Sequence, residues 1–344
     1  MKPNRTLIVS VFVVASCGLA YELIMAALAS YLLGDSILQF SSIIGLYLFA
    51  MGIGAHLTKY IKDEDTLRRF IEIELLVGVI GGISALALFV AFGLAAAPFR
   101  TLLYALVLVV GTVVGMEIPL VMRVLNREKA DFKELVSKVL TFDYLGALAA
   151  SLLFPLVLAP RLGMARSALL FGILNAAVAL LTARIFKGRL KNYRGLQIRG
   201  WTVLMFLLLA FAYANRITFR AEQSYFGDPV VFESHSPYQR LVVTQWKNDT
   251  RLYINGNLQF SSRDEARYHE ALVLPAMQMA EKAENVLILG GGDGLAGSLC
   301  AAAGRALQDA PFPGRAVGGL RGLAAARAPG VGAQYGRTAL CVHG

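Results

Sequence analysis

Seven apolar stretches, each about long enough to cross a bilayer, constrain what the first two-thirds of this chain can become. They run over 7–31, 38–58, 71–97, 102–122, 139–160, 164–186 and 201–217. A hydrocarbon core is roughly 30 Å thick, which an α-helix covers in about 20 residues. No water reaches the backbone inside lipid, so each stretch must satisfy its own N–H and C=O groups and is expected to be a helix. The 56% hydrophobic content and mean hydropathy of +0.58 agree, and exclude an ordinary soluble enzyme. The first stretch also has marks of a secretory signal, with Lys2 and Arg5 before it and an Ala-Leu-Ala at 27–29. Its length, the Glu22 inside it and the apolar stretches that follow favour a span.

The net charge of +10 invites a nucleic-acid reading, but the placement of the cations gives a different one. Lys2 and Arg5 precede the first stretch. Lys59, Lys62, Arg68 and Arg69 follow the second, and Arg123, Arg127, Lys129, Lys133 and Lys138 follow the fourth. Arg184, Lys187, Arg189, Lys191, Arg194 and Arg199 follow the sixth, whereas the intervening loops hold Arg100, Arg161 and Arg166. This is the positive-inside pattern of a multi-pass protein of the cell (inner) membrane, with the N-terminus in the cytoplasm. The expected partner is therefore the lipid bilayer, not nucleic acid. Seven crossings would leave everything after residue 217 on the outer face, and one crossing more or fewer would return it to the cytoplasm.

Three acids sit at membrane depth: Glu22 in "GLAYELIM", Glu117 in "GMEIPL" and Asp143 in "FDYLGALAASLLFP". A charge in the bilayer centre costs several kcal/mol, so such residues normally face the bundle interior. Two readings stand: hydrogen-bonded carboxyls that pin helix packing, or carboxyls that bind a cation. The nearby Gly18, Gly115, Gly146, Ala149 and Ala150 allow close helix contact in either case. Glu72 and Glu74 lie nearer an interface, where solvated carboxylates are expected. Cys17, Cys300 and Cys341 are far apart and show no metal-ligand spacing, so neither a disulfide framework nor a metal site is expected.

After residue 217 the pattern changes. "RLVVTQW" (240–246) and "TRLYIN" (250–255) alternate like strands, with turn sequences "KNDT" and "NGN" between and after them, so a small antiparallel sheet is expected over 218–262. Asp264 is placed to cap a helix carrying Tyr268, Leu272 and Ala276 on one face. Val286–Leu289 reads as a short buried strand that enters Gly290, Gly291, Gly292, Asp293 and Gly294. Such a loop lets a backbone approach a ligand with no Cβ in the way. A carboxylate within it would repel a phosphate, so the ligand is expected to be neutral or cationic.

The set "SPYQRLVV", "LYINGNLQFSSRDEARYHEALVLPAM" and "VLILGGGDGLA", in that order and spacing, resembles the polyamine aminopropyltransferases, the spermidine synthase family. "CGLAYEL" and "FDYLGALAASLLFP" resemble its membrane-bound branch. The likeness covers roughly 1–296. It implies transfer of an aminopropyl group from the cosubstrate decarboxylated S-adenosylmethionine to putrescine, giving spermidine, with no metal and no other cofactor. It further implies that Gln239 contacts the adenosyl cosubstrate and that Tyr268 and His269 lie against the polyamine. Asp293 and its glycines would meet the aminopropyl end. His269 could instead be a helix-surface residue. Asn255 stands where soluble members usually show Asp in an "LDG" turn, a branch variation that either residue tolerates. A homo-oligomer is compatible with this reading, as is a seven-helix polyamine transporter or sensor with a soluble binding module.

The resemblance stops near residue 296. The family would next supply an acidic residue for the ribose hydroxyls, an Asp-Gly pair at the adenine, and a "D-x-x-D" loop whose first Asp takes the proton from the attacking amine. From Gly297 to Gly344 the only acid is Asp309, there is no Ile and no Lys, and Ala, Gly, Pro and Arg dominate. Ala, Gly, Pro and Arg are residues of GC-rich codons, so the chain is expected to be truncated or frame-shifted after about residue 296, and inactive, with a natural disordered tail as the alternative. The architecture expected overall is a multi-pass α-helical membrane bundle of about seven spans over 1–217, then the small antiparallel β domain over 218–262. The start of an α/β Rossmann-like methyltransferase-type domain follows over 263–296, and then a disordered Ala/Gly/Arg-rich tail over 297–344.

Overall fold

The computed structural model describes residues 3–33, 36–94, 96–126, 132–235, 240–254, 256–280, 286–289, 294–308 and 339–342. The chain divides into two compact units, Met1–Leu241 and Val242–Gly344.

The first unit is helical. Its helices are α1 (Pro3–Leu33), α2 (Ser36–Leu57), α3 (Thr66–Leu94), α4 (Ala96–Gly115), α5 (Glu117–Asn126), α6 (Phe132–Leu153), α7 (Ala159–Ile185) and α8 (Tyr193–Phe226), and the short strand β1 (Val230–His235) follows them. The seven apolar stretches therefore become eight helices, and the fourth stretch is the reason. Pro119 has no N–H to give, and its ring crowds the carbonyl four residues earlier, that of Gly115. The helix breaks at Met116, whose N–H reaches back only to the Val113 carbonyl at 3.2 Å, and restarts as α5.

Between α6 and α7 the chain passes through a π turn, Phe154–Leu158, that contains Pro155. It leaves helical geometry at Gly163 (φ +74°), between the fifth and sixth expected stretches. Among the described residues six stretches are long and apolar enough to cross a membrane, because Lys133–Ile185 counts as one stretch of 53 residues across this kink. α8 runs past its expected end at 217 and stops at Gly227 (φ +69°), two residues before Pro229, a common way to end a helix.

Within the unit α1 packs on α6, α7 and α2, α2 packs on α4, and α3 packs on α7 and α8. Tyr21, Tyr47, Phe70, Phe99 and Leu103 are fully enclosed. Two of the expected small-residue contacts are close enough to require glycine. A Cβ built on Gly115 would lie 2.2 Å from the Met51 carbonyl oxygen, and one on Gly146 would lie 2.3 Å from that of Phe12. The outer face is apolar too: Tyr144, Leu145, Leu148 and Leu152 on α6, and Trp201, Met205, Phe206 and Leu209 on α8, are exposed. Arg123, in the last turn of α5, ties down the α2–α3 connection. Its guanidinium donates to the carbonyls of Thr58 (2.8 Å) and Ile61 (2.7 Å) and pairs with Asp63.

In the second unit β2 (Arg240–Trp246), β3 (Asp249–Ile254) and β4 (Asn257–Ser261) lie side by side in that order. Lys247 takes a positive φ of 54° in the turn before β3. β3 and β4 are antiparallel, with Arg251 opposite Ser261, Ile254 opposite Asn257, and an irregularity between Leu252 and Tyr253. Asp249 anchors this hairpin: Ser261 Oγ donates to one of its carboxylate oxygens (2.9 Å) and Arg251 Nε to the other (2.7 Å).

Next come α9 (Glu265–Met279), β5 (Val286–Leu289), α10 (Leu295–Gln308) and β6 (Ala339–Val342). β5 precedes and α10 follows the glycine-rich residues 290–294, the order expected of a Rossmann-like start. The strand partner differs: β5 pairs with β6, antiparallel, Val286 opposite Val342 and Leu289 opposite Ala339. Both strand pairs with a described register, β3 with β4 and β5 with β6, are antiparallel. Regular structure also extends into the stretch expected to lack it, since α10 reaches Gln308 and β6 lies at 339–342. α10 is rich in Ala and Leu, which are strong helix formers and outweigh its glycines. α9 and α10 enclose a small core of Val273, Met277, Ala296, Cys300 and Ala303, with Val286 and Ile288 against it.

Candidate functional site

The buried face of α9 decides where its side chains can act. The sequence places Tyr268, Leu272 and Ala276 on one face of the helix. The buried set is one position on: Glu265, His269, Val273 and Met277. Tyr268 is 51% exposed and His269 only 3%, so the surface reading of His269 does not hold. The helix starts after Asp264, as expected, but the Asp264 side chain makes no capping hydrogen bond.

His269 is fixed from below by its own helix. Its Nδ1 lies 3.0 Å from the Glu265 carbonyl oxygen, and since a carbonyl can only accept, Nδ1 carries the proton. The Glu265 carboxylate, itself buried, stands 3.6 Å from the same nitrogen. The Tyr268 ring meets the imidazole edge to face, centroids 5.2 Å apart. The result is an oriented imidazole beside an exposed phenol, an arrangement that can receive an amine or move a proton. Glu265 thus backs the histidine. Its spacing four residues before His269 was the available signal.

Gly294 takes φ +72°, a value that favours glycine, and its carbonyl accepts from both the Ser298 N–H (3.0 Å) and the Ser298 hydroxyl (2.9 Å). A Cβ built on Gly297 would lie 3.6 Å from the Ile288 side chain, so α10 packs on β5. Gln239, Asn255, Gly290, Gly291, Gly292 and Asp293 lie outside the described residues. Cys300 belongs to the small core, and burial pushes its thiol up from its ordinary pKa.

The intramembrane candidates come together in the first unit. Glu22 from α1, Glu117 from α5 and Asp143 from α6 all line one cavity of about 240 Å³. Glu22 and Glu117 are buried, and Oε1 of Glu117 has no hydrogen-bond partner. Tyr47 closes one wall, its hydroxyl donating to the Gly18 carbonyl at 2.8 Å. Among the described residues no three His, Cys, Asp or Glu side chains converge closely enough to hold a metal ion.

Against known proteins the chain is 63% identical over 297 residues to polyamine aminopropyltransferase 2 and to polyamine aminopropyltransferase 1 of Ralstonia nicotianae. It is 48% identical over 293 residues to a polyamine aminopropyltransferase of Leptospira interrogans. Each match covers 85% of this chain. Over that matched length the chain belongs to the polyamine aminopropyltransferase family. It spans 58%, 57% and 58% of the lengths of these three relatives, little more than half. No family model and no solved structure matches.

For an aminopropyltransferase relative, one buried acid escaped the sequence reading. Glu74 on α3 was expected to be solvated, yet it is fully buried and neither carboxylate oxygen has a hydrogen-bond partner. Its neighbour Glu72 behaves as expected, paired with Arg68, Arg69 and Arg199 at the surface. The two differ because residues two apart on a helix point about 200° apart.

Proposed function

We propose that this chain carries the membrane-embedded part and the opening part of the catalytic domain of a polyamine aminopropyltransferase. In the whole enzyme the amine nitrogen of putrescine attacks the aminopropyl carbon bonded to the sulfonium of decarboxylated S-adenosylmethionine. A C–N bond forms as the C–S bond breaks, and the bonding pair stays on sulfur in neutral methylthioadenosine. The proton on the attacking nitrogen passes to a carboxylate, leaving spermidine. The 63% identity to proteins named polyamine aminopropyltransferase carries this reading.

Within it Gln239 contacts the adenosyl cosubstrate. Tyr268 and the backed imidazole of His269 face the polyamine. Gly290, Gly291, Gly292 and Gly294 let the backbone approach, and Asp293 attracts the cationic aminopropyl end. The bilayer reading is supported by the six long apolar stretches, the exposed apolar rows of α6 and α8, and the alternation of basic loops. The side of the inner membrane that holds the cosubstrate, the cytoplasm, is the side we assign to the second unit.

The 344-residue polypeptide by itself is inactive in this proposal, because 297–344 contains no acid but Asp309 to hold ribose or accept a proton. Incubated with decarboxylated S-adenosylmethionine and putrescine, it is expected to give no spermidine above background, and a clear signal would overturn the point. The catalytic reading has its own test. A chimera of residues 1–296 with the C-terminal part of the Ralstonia relative should make spermidine, and Asp293→Asn in that chimera should lower kcat/KM by about 10²-fold. A chimera that folds but makes none would sink the reading. A reading-frame shift near codon 297 accounts for the tail. Resequencing that finds no "D-x-x-D" frame downstream would remove that explanation.

A further inference from the structure

We propose that the cavity among α1, α2, α4, α5 and α6 is a binding site for a small aliphatic amine bearing two ammonium groups. The break at Met116 puts Glu117 at the start of α5, where it lines the cavity as a 98% buried side chain with an unpartnered carboxylate oxygen. A buried polar oxygen left without a hydrogen bond is unfavourable, more so when charged, and a donor entering the cavity would relieve that. Glu22 and Asp143 reach the same cavity from two other helices, and none of the three is paired with a cation among the described residues. No Lys, Arg or His lines it.

The shape of the wall selects the ligand. The acids stand on three separate helices and do not converge as metal ligands would, so one compact ion cannot satisfy them together. Between them the wall is valine, leucine, isoleucine, methionine and alanine, suited to methylene groups, with the rings of Tyr47 and Tyr144 available to an ammonium. A volume of about 240 Å³ is that of roughly eight liquid waters, room for a diamine of six heavy atoms. The site lies in the first unit and does not depend on the catalytic reading of the second.

The test is equilibrium binding of radiolabelled putrescine to the full chain in lipid nanodiscs, with n-butylamine and sodium as competitors. Wild type should bind saturably, Glu117→Gln and Asp143→Asn should each weaken binding at least tenfold, and Glu134→Gln, at an exposed carboxyl of α6 outside the cavity, should leave it unchanged. Size-exclusion profiles and thermal midpoints of the variants confirm that they remain folded, and Glu22→Gln serves if either does not. Displacement by n-butylamine as potent as by putrescine would overturn the two-ammonium requirement, and displacement by sodium at equal concentration would overturn the amine. Binding lost in His269→Ala but kept in the Glu117 and Asp143 variants would place the site in the second unit. An absence of saturable binding to wild type would end the proposal.

Discussion

In the first unit large side chains are completely enclosed, Tyr21, Tyr47, Phe70, Phe99 and Leu103 among them, and one cluster of buried residues runs from α1 to α8. In the second unit the described core is Val273, Met277, Ala296, Cys300 and Ala303, most of them small. Burial stabilises by roughly 25 cal/mol per Å² of apolar surface, so the two cores differ widely in what they can hold. They also differ in kind. A helix satisfies its backbone within itself, so a bundle needs only faces that fit. A strand such as β5 needs a partner from far along the chain, and here that partner is β6. Failure of the first unit should therefore come from steric conflict, and failure of the second from loss of a few apolar contacts.

The largest effect is expected at Gly115. Gly115→Ala places a methyl 2.2 Å from a backbone carbonyl oxygen of α2, and a backbone cannot step aside as a side chain can. Overpacking of this kind typically costs about 1–3 kcal/mol, and the upper end is expected here. Gly45→Ala is the matched control, since nothing lies within 4 Å of its added carbon. That change should be neutral or raise stability by up to about 1 kcal/mol through helix propensity. Thermal midpoints in detergent that moved equally for both variants would remove steric fit as what holds the bundle.

Met277→Ala tests the other side of the comparison. Met277 is buried between α9 and α10, and a Cβ built on Gly304 would lie 3.8 Å from its terminal methyl. Truncation of a buried methionine costs about 2–5 kcal/mol, and a core this small should fall near 2. Backbone amides of α9 and α10 should then exchange with solvent roughly thirtyfold faster. Unchanged exchange would mean that this cluster is not what holds the second unit.

Hydropathy and loop charge made the helices of the first unit legible, because a 20-residue apolar run has few alternatives. The break at Met116 could have been read from Pro119. The meeting of Glu22, Glu117 and Asp143 could not, since it depends on how three helices cross. The burial of Glu74 was missed because distance from the span centre says nothing about which way a side chain points. In the second unit the strands 240–246 and 250–255 and the helix start at Asp264 were visible as local patterns. On α9 the face shared by Tyr268, Leu272 and Ala276 lies one position off the buried one, where the polar Glu265 and His269 are enclosed with Val273 and Met277. The partner of β5 was illegible for the reason that strand pairing is non-local. The identity of His269 as a site candidate came from motif resemblance, and the structure supplied its backing by Glu265.

A smaller effect is expected at Arg123, which the sequence reading counted only as a topogenic charge. Arg123→Lys keeps the charge but not the planar fork that reaches two carbonyls and Asp63 together. Hydrogen bonds to charged groups contribute about 1.5–3 kcal/mol each when lost outright, and a lysine retains part of one, so a loss near 1 kcal/mol is expected. Limited proteolysis should then cut faster in the α2–α3 connection, at Lys59 or Lys62. A cutting rate unchanged from wild type would show that this connection does not depend on the guanidinium.

The smallest effect, and the most specific, is expected at Asp249. Burial of its carboxyl works against the charged form, but the hydrogen bonds from Ser261 and Arg251 and the charge of Arg251 outweigh that and hold it below the usual range. An unfolded aspartate titrates near 3.9. A group depressed on folding adds stability that is fully present above its unfolded pKa and is lost as the pH falls through its folded value. Asp249→Asn cannot titrate, so the gap in thermal midpoint between wild type and this variant should be constant from about pH 5 to 8 and close below about pH 4. The gap reports the hairpin and not the bundle, because Asp249 bonds only within β3, β4 and the turn that follows. A gap that widened on acidification would mean that the carboxyl is held protonated, and the anchoring of the hairpin by a charged Asp249 would be wrong.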